Sequence, residues 1–273
     1  MNALQDYCSL WKLENPALLQ ETPRATLYRV KYANVPAVLK ISRPLGLEHE
    51  RQATAFLSLC PTEISVKILK SQDNAVLMED LPGPALSEEV RQGRDDRATE
   101  IIASTALRVS NIPVPQTHSF IPLRTWFRAL FEKSGHAGEN PALYETAAPL
   151  AHELLSADAP QVLLHGDLHH DNMIRDETGR YKMIDPKGLI GHPAYEVANA
   201  FRNPHGAGLV TKERILRQAG IFSATLGRSQ REILGFGFIH AAISPLWSLE
   251  DNEDFGDSLK VARLFHEIWE ERA

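Results

Sequence analysis

The chain has 273 residues, 43% hydrophobic and 23% charged, so it can bury a sizeable core in one globular unit or two lobes. Its formal net charge of −6 argues against nucleic acid as a partner, because phosphate backbones are bound by clusters of Lys and Arg. Two cysteines are too few for a disulfide framework, and neither a signal peptide nor a membrane-spanning apolar run is evident. We therefore expect a cytoplasmic protein with no membrane partner, and no obligate protein partner is implied.

Two predicted strands follow the N-terminal segment. Residues 1–21 predict no more than a short amphipathic helix. Residues 27–32 and 37–41 predict strands, because strand-forming residues there flank a turn at 34–36. In the second strand alternate apolar residues share one face, so Lys40 lies on the opposite face.

A helix is predicted next, over residues 47–59. Glu50 shares its otherwise apolar face, whereas Glu48 lies off that face. A carboxylate on an inward face needs a partner, and Lys40 can supply one. We therefore expect Lys40 to pair with Glu50, with Glu48 as the rival partner.

The chain changes character near residue 80. A second pair of predicted strands, residues 64–69 and 75–78, leads into a connection that contains Pro82 and Gly83. We predict a lobe boundary there, with residues 1–79 forming one lobe and residues 80–273 the other. Helical spacing of apolar residues follows, and the predicted helices begin at Ser87 and cover residues 95–109, 123–133, 143–155, 216–221, 233–240 and 259–271.

Three acidic or amide side chains stand between residues 162 and 185. Asp167 follows a short apolar run that predicts a buried strand, and Gly166 allows a sharp turn before it. Asn172 comes next, and Asp185 stands at the end of a predicted hairpin whose turn contains Gly179. If the hairpin forms, its return strand carries Asp185 beside Asn172, and the three side chains converge.

Such a cluster suits phosphoryl transfer from a magnesium nucleotide. The protein must position a hydroxyl in line with the transferred group and neutralise phosphate charge through Mg²⁺. Magnesium takes a few hard oxygen ligands, which Asn172 and Asp185 can supply. Asp167 is then left to accept the proton of the attacking hydroxyl.

Two other interpretations of this stretch exist. Asp and Asn residues often cap helices and turns, which explains any one of the three residues alone but not their ordered combination. His165, His169 and His170 also suggest a zinc site, but the chain offers no nearby Cys pair or H-E-x-x-H motif to complete one.

The same stretch resembles a known family. His165-Gly166-Asp167-Leu168-His169-His170-Asp171-Asn172 and Ile184-Asp185-Pro186 resemble the H-G-D-x-x-x-x-N and I-D motifs of the aminoglycoside phosphotransferase family. Residues 184–199 and Arg202-Asn203-Pro204 are similar to its branch of streptomycin 6-phosphotransferases and hydroxyurea-resistance kinases. The resemblance covers roughly residues 24–247 and is dense only over residues 162–204.

The resemblance implies an α+β, two-lobed protein-kinase-like fold, with a small antiparallel β lobe carrying one helix and a larger, mainly helical lobe. It implies ATP and Mg²⁺ as cofactors. By the family pattern Lys40 contacts the ATP phosphates with Glu50 as its brace. Glu79 and Leu81 contact adenine through backbone atoms. No glycine precedes Lys40, so residues 23–26 are the candidate loop that covers the phosphates.

The family pattern also assigns roles around the catalytic loop. Asp167 is the catalytic base, Asn172 and Asp185 hold the metal, and His165 braces the loop. The family commonly has G-D-P-x-x-D-L-A after this point, and here His192 and Glu196 replace the two acids. We expect Glu196 to accept hydrogen bonds from loop backbone amides in place of the second acid.

The acceptor implied by the resemblance is a small molecule, with streptomycin or a related aminoglycoside first and hydroxyurea second. The negative net charge is compatible with a cationic acceptor, and the acidic run over residues 250–257 is either a solvated loop or part of its cleft. A metabolic kinase for an amino alcohol, a hydroxy amino acid or a sugar is the alternative. A silent nucleotide-binding module is the alternative from outside the enzymes.

Overall fold

The structure is a computed structural model that describes residues 3–133, 140–205, 209–250 and 256–272. The chain divides into two compact units, Met1–Pro84 with Ile174–Gly188 and Ala85–Met173 with Leu189–Ala273. This division differs from the predicted one. The first unit extends beyond residue 79, and it includes a segment expected in the second lobe, because Met183 exchanges backbone hydrogen bonds with Ile64 and Val66.

The described residues form helices and short strands along the whole chain. The helices are α1 (Ala3–Trp11), α2 (Leu47–Leu59), α3 (Ser87–Arg91), α4 (Asp95–Ser110), α5 (Leu123–Trp126), α6 (Arg128–Lys133), α7 (Pro141–Ser156), α8 (Lys212–Leu226), α9 (Gln230–Glu250) and α10 (Gly256–Glu270). The strands are β1 (Glu14–Glu21), β2 (Ala25–Tyr32), β3 (Val35–Ser42), β4 (Ile68–Gln72), β5 (Ala75–Glu79), β6 (Ile121–Pro122), β7 (Val162–Leu164), β8 (Met173–Arg175), β9 (Tyr181–Met183) and β10 (Leu189–Gly191). Short 3-10 helices cover Pro44–Gly46, His170–Asn172 and Pro193–Arg202.

The first unit is built on an antiparallel sheet with the strand order β1-β2-β3-β5-β4. Alternate apolar residues of the inner strands pack against α1, where Tyr7 and Trp11 join Leu39 and Leu77 in one buried cluster. Each large apolar side chain buried there stabilises the unit by about 1.5–3 kcal/mol. Because strand residues alternate between faces, Lys40 points away from this cluster, as its position in the sequence predicted.

Strand β1 was not predicted. All eight of its residues are exposed, so the alternation that marks a half-buried strand is missing from its sequence. It contains Pro16 and pairs with β2 at the edge of the sheet, where a missing backbone donor is tolerated. Its formation therefore depends on the neighbouring strand and not on its own pattern.

The second unit is mainly helical, and α9 packs against α7, α8, α10 and the helix Pro193–Arg202. Helix α9 is apolar on most sides, as expected of a central helix. A Cβ added at Gly237 would lie 2.8 Å from Phe265 and 3.1 Å from Phe201, so glycine allows this close packing.

The prediction of a single helix over residues 123–133 is wrong. The chain breaks at the buried Phe127 and forms two short helices, α5 and α6.

In the described ranges, no helix combines the length and the apolar character that crossing a bilayer requires.

Candidate active site

A lysine with two carboxylate partners lies in the first unit. Lys40 Nζ on β3 lies 2.7 Å from Glu50 Oε2 on α2 and 2.8 Å from Asp185 Oδ1. Ser42 Oγ donates to the same Glu50 oxygen at 3.2 Å. The structure thus brings Lys40 together with Glu50 and leaves the rival carboxylate of Glu48 exposed.

The charge of Lys40 is held by these partners. Burial by itself would lower the pKa of its ammonium group, since a buried charge loses its hydration. The charges and hydrogen bonds of Asp185 and Glu50 outweigh burial and raise the pKa above its ordinary value. Lys40 therefore remains positively charged throughout the physiological pH range.

Asp185 follows the β8–β9 hairpin, whose turn has Gly179 at a φ of 88°, as predicted. Its own φ is 55°, in the left-handed region that non-glycine residues seldom adopt. The side chain is 50% exposed even though one oxygen binds Lys40. A strained, half-exposed acid of this kind is typical of functional sites.

The predicted catalytic loop lies in the second unit, between β7 and β8. Gly166 has a φ of 78°, so it makes the sharp turn predicted for it. The backbone N–H of Asp167 donates to His165 Nδ1 at 3.2 Å. Asn172 Nδ2 donates to the backbone oxygen of Asp167 at 3.0 Å, and Asn199 Nδ2 donates to Asp167 Oδ1 at 2.6 Å. Asp167 is therefore held through its amide, its carbonyl and its carboxylate.

Glu196 anchors this loop from the 3-10 helix Pro193–Arg202. Its two carboxylate oxygens accept from the backbone N–H groups of His165 at 2.9 Å and Gly166 at 3.1 Å. The expected hydrogen bonds to loop amides are confirmed. Burial raises the pKa of the Glu196 carboxyl to about 8, although both N–H donors act to lower it.

The three loop histidines have different surroundings. His165 accepts from Asp167, as above, and His169 Nδ1 accepts from the backbone N–H of Asp171 at 3.3 Å. His170 is fully buried, and burial lowers the pKa of its imidazole to about 3, helped by the nearby charge of Arg214. The rings of His165 and His169 thus brace the loop backbone, whereas in the described residues neither ring nitrogen of His170 has a hydrogen-bond partner.

A buried row of hydrogen-bonded rings also lies in the second unit. Trp126 Nε1 donates to the hydroxyl of Tyr195 at 2.8 Å, and that hydroxyl lies 3.0 Å from His240 Nδ1. Burial lowers the pKa of His240 to about 3; the charge of Arg202 lowers it further and that of Asp167 opposes this. His240 is therefore neutral near pH 7 and adds no positive charge to the surroundings of Asp167.

The residues predicted to contact adenine lie at and after the end of β5. The backbone N–H of Glu79 donates to the backbone oxygen of Lys67 at 3.0 Å. Its carboxylate accepts from the Lys67 N–H at 2.8 Å and from Lys182 Nζ at 2.6 Å. The amide and the side chain of Glu79 are therefore engaged in hydrogen bonds within the first unit. Leu81 is half-buried beyond the strand.

The candidate loop over residues 23–26 is a turn that runs into β2. Thr22 Oγ1 accepts from the N–H groups of Arg24 at 3.3 Å and Ala25 at 3.0 Å, which fixes the turn. Ala25 and Thr26 already belong to β2.

Asn199 was not predicted from the sequence as a site residue. It occurs among the residues that carry the family resemblance, but nothing local shows that its amide reaches Asp167, which is 32 residues away in the chain. A signal was present in the spacing, because Asn199, Arg202 and Asn203 are three and four residues apart and would share one side of a helix.

The fold has close counterparts among solved structures. A thermostable mutant of the aminoglycoside phosphotransferase APH(4)-Ia, in ternary complex with AMP-PNP and hygromycin B, matches with a TM-score of 0.72 at 17% identity, covering 100% of this chain and 99% of that chain. At this identity the likeness shows the fold, and the predicted protein-kinase-like α+β fold is confirmed.

Sequence relatives point to the same family. The streptomycin 3''-kinase of Klebsiella pneumoniae is 30% identical over 250 residues, covering 88% of this chain and 90% of that protein. A hydroxyurea phosphotransferase of Kitasatospora aureofaciens is 34% identical over 117 residues, covering 43% of this chain and 32% of that protein. A sequence model of the aminoglycoside/hydroxyurea antibiotic resistance kinases matches residues 10–252. The chain therefore belongs to the aminoglycoside/hydroxyurea antibiotic resistance kinase family, whose members are phosphotransferases.

Proposed function

We propose that this kinase transfers the γ-phosphoryl group of ATP to a hydroxyl group of streptomycin or a related aminoglycoside. The observation that carries the proposal is the Asp167 carboxylate, held by Asn199 in a loop whose amides are anchored by Glu196. Identity of 30% to a streptomycin 3''-kinase across 88% of the chain supports this acceptor class. The reaction belongs in the cytoplasm, where ATP is supplied.

Asp167 orients the acceptor hydroxyl and takes its proton as the oxygen attacks the γ-phosphorus. The transition state of phosphoryl transfer needs little covalent help from the protein, so catalysis depends mainly on how the reacting groups are positioned. Proton transfer to a positioned base increases the rate further. Lys40 holds the ATP phosphates as a permanent cation, and Glu50 fixes its position. The carbonyl oxygen of Glu79 and the backbone of Leu81 contact adenine.

Asn172 and Asp185 fit a role as oxygen ligands of Mg²⁺. The amide nitrogen of Asn172 is engaged with the backbone oxygen of Asp167, so Oδ1 is the end of the side chain that can bind a metal. Asp185 presents a half-exposed carboxylate. Both are hard oxygen donors, as magnesium prefers. When bound, Mg²⁺ neutralises phosphate charge as it develops during transfer.

Two hydroxyl positions of streptomycin are candidates for phosphorylation. The motifs resemble those of streptomycin 6-phosphotransferases, whereas the relative from Klebsiella pneumoniae is named a 3''-kinase. Hydroxyurea is the second acceptor to test, because a relative named for it aligns over 117 residues. The acidic run proposed for a cationic acceptor falls largely on residues 251–255, outside the described ranges.

The test is ATP consumption by the purified protein with Mg²⁺, measured against streptomycin, other aminoglycosides, hydroxyurea, choline, homoserine and simple sugars. We expect turnover with streptomycin and its loss in Asp167→Asn, which keeps the shape of the side chain but removes the base. NMR of the product identifies the phosphorylated hydroxyl.

Three results would contradict the proposal or part of it. Turnover with choline, homoserine or a sugar alone would keep the reaction and replace the acceptor. Full activity in Asp185→Ala would remove the assigned role of that carboxylate. Nucleotide binding without turnover of any acceptor would favour the silent module.

A further inference from the structure

Asp167 stands at the end of a row of hydrogen bonds that lies within the second unit. Asn199 Nδ2 donates to Asp167 Oδ1 at 2.6 Å. Asn203 Nδ2 donates to the backbone oxygen of Asn199 at 2.9 Å and to its Oδ1 at 3.2 Å. A carboxylate only accepts, and the Asn203 amide nitrogen only donates. One orientation of the Asn199 amide satisfies both neighbours, with its nitrogen toward Asp167.

A buried ion pair fixes the far end of this row. Arg214 on α8 donates to the backbone oxygens of Phe201 at 3.1 Å and Asn203 at 2.9 Å. Two further bonds of 2.9 Å join its guanidinium to both carboxylate oxygens of Asp95 on α4. Bidentate pairs of this type hold the guanidinium and the carboxylate in a fixed mutual orientation. The backbone that carries Asn203 is therefore tied to two helices.

We propose that Asn199 is a positioning residue for Asp167, and that Asn203 and Arg214 set its orientation. This inference rests on the proposed function, because Asp167 acts as a base only if a hydroxyl is phosphorylated. By binding Oδ1, the Asn199 amide fixes the plane of the Asp167 carboxylate and therefore the direction from which it meets the acceptor hydroxyl.

Two substitutions at this position test the role. Asn199→Ala lets the carboxylate rotate, and we expect kcat to fall about a hundredfold with KM for ATP within about threefold of wild type. Asn199→Asp keeps the shape but sets a second carboxylate against Asp167. The repulsion between the two carboxylates turns Asp167 away from its wild-type orientation, so kcat should fall at least as far as in Asn199→Ala, again with KM for ATP nearly unchanged. A merely structural role would not confine the loss to kcat.

Asn203→Ala tests whether the row acts as a unit. We expect a smaller loss of kcat, and the double variant with Asn199→Ala should lose no more than Asn199→Ala alone, because both changes remove the same restraint. Asn111→Ala, at an exposed asparagine after α4, is the control and should keep wild-type kcat.

Wild-type kcat in either variant, or a loss that appears in KM for ATP as much as in kcat, would overturn the inference. If wild type turned over no acceptor, the proposed function would fail separately. A crystal structure of Asn199→Ala, which needs no acceptor, then decides this inference. An Asp167 carboxylate that has rotated supports it, and one that keeps its wild-type orientation overturns it.

Discussion

At the scale of single residues, Glu50 and Glu196 support the candidate site through different groups. Glu50 pairs with the charged side chain of Lys40, whereas Glu196 accepts from two backbone N–H groups and is fully enclosed by protein. Charged partners favour an ionised carboxyl and burial opposes it. The two residues should therefore differ in how their substitution affects activity and stability.

Glu50→Gln removes one of the two carboxylates that hold Lys40. Asp185 remains, so we expect the protein to stay folded while kcat/KM for ATP falls on the order of ten- to a hundredfold, because the lysine is no longer fixed. Steady-state kinetics with varied ATP measures this. Glu48→Gln changes an exposed carboxylate on the same helix and is the matched control. Equal kinetics of the two variants would show that Glu50 is not a brace.

Glu196→Gln should change how stability depends on pH. Burial raises the folded-state pKa of Glu196 to about 8, above the ordinary value of 4.5. The folded state then binds the extra proton, so this group makes the free energy of unfolding fall as pH rises from about 4.5 to about 8. Glutamine does not titrate, and the fall should be shallower in the variant.

Urea unfolding at several pH values between about 5 and about 9 measures this difference. The neutral buried histidines His170 and His240 are common to both proteins, so their contributions cancel in the comparison. Parallel stability profiles would show that Glu196 is already ionised in the fold at neutral pH, stabilised by its two N–H donors.

At the scale of secondary-structure elements, close packing of α9 organises the second unit. Gly237 lies where a side chain would meet Phe265 and Phe201, whereas the nearest atom to an added Cβ at Gly220 in α8 is 3.9 Å away. The same substitution should therefore have opposite effects on these two helices.

Gly237→Ala should lower the free energy of unfolding by about 1–3 kcal/mol, because the added methyl group overpacks α9. Gly220→Ala should raise it by about 0.5–1 kcal/mol, since alanine restricts the unfolded chain and meets no clash. Urea unfolding of both variants checks the pair. A neutral or stabilising Gly237→Ala would mean that the aromatic rings move aside without cost.

At the scale of the whole molecule, nucleotide binding should appear as stability. A ligand that binds only the folded state adds about 2.7 kcal/mol to the free energy of unfolding at a hundredfold excess over Kd. Mg²⁺ with ADP should therefore raise Tm, and Lys40→Ala should reduce the rise because the phosphates lose their cation.

A chelator should remove part of that rise but leave Tm of the nucleotide-free protein unchanged. The proposed ligands are one amide and one carboxylate, and magnesium held by so few protein groups depends on phosphate oxygens for the rest. Differential scanning calorimetry with and without EDTA measures both effects. A Tm increase caused by Mg²⁺ alone would instead indicate a structural metal site.

The sequence by itself determined much of this protein, because some information is local. Helix α2 has the predicted bounds, Leu47–Leu59, since apolar spacing over one helix is complete within that segment. The H-G-D-x-x-x-x-N loop and the turn at Gly166 were also predicted from local sequence. Strand alternation also placed Lys40 on the face that meets Glu50.

Only the tertiary structure decided the features that depend on distant residues. Strand β1 has no apolar alternation and forms because β2 offers hydrogen-bonding partners. The pairing of Asn199 with Asp167 joins residues 32 positions apart, and its direction follows from Asn203 and Arg214. Hydrogen bonds of this range depend on how helices pack, which no short sequence pattern specifies. The motif and its spacing therefore located the candidate catalytic loop, and packing determined what holds it.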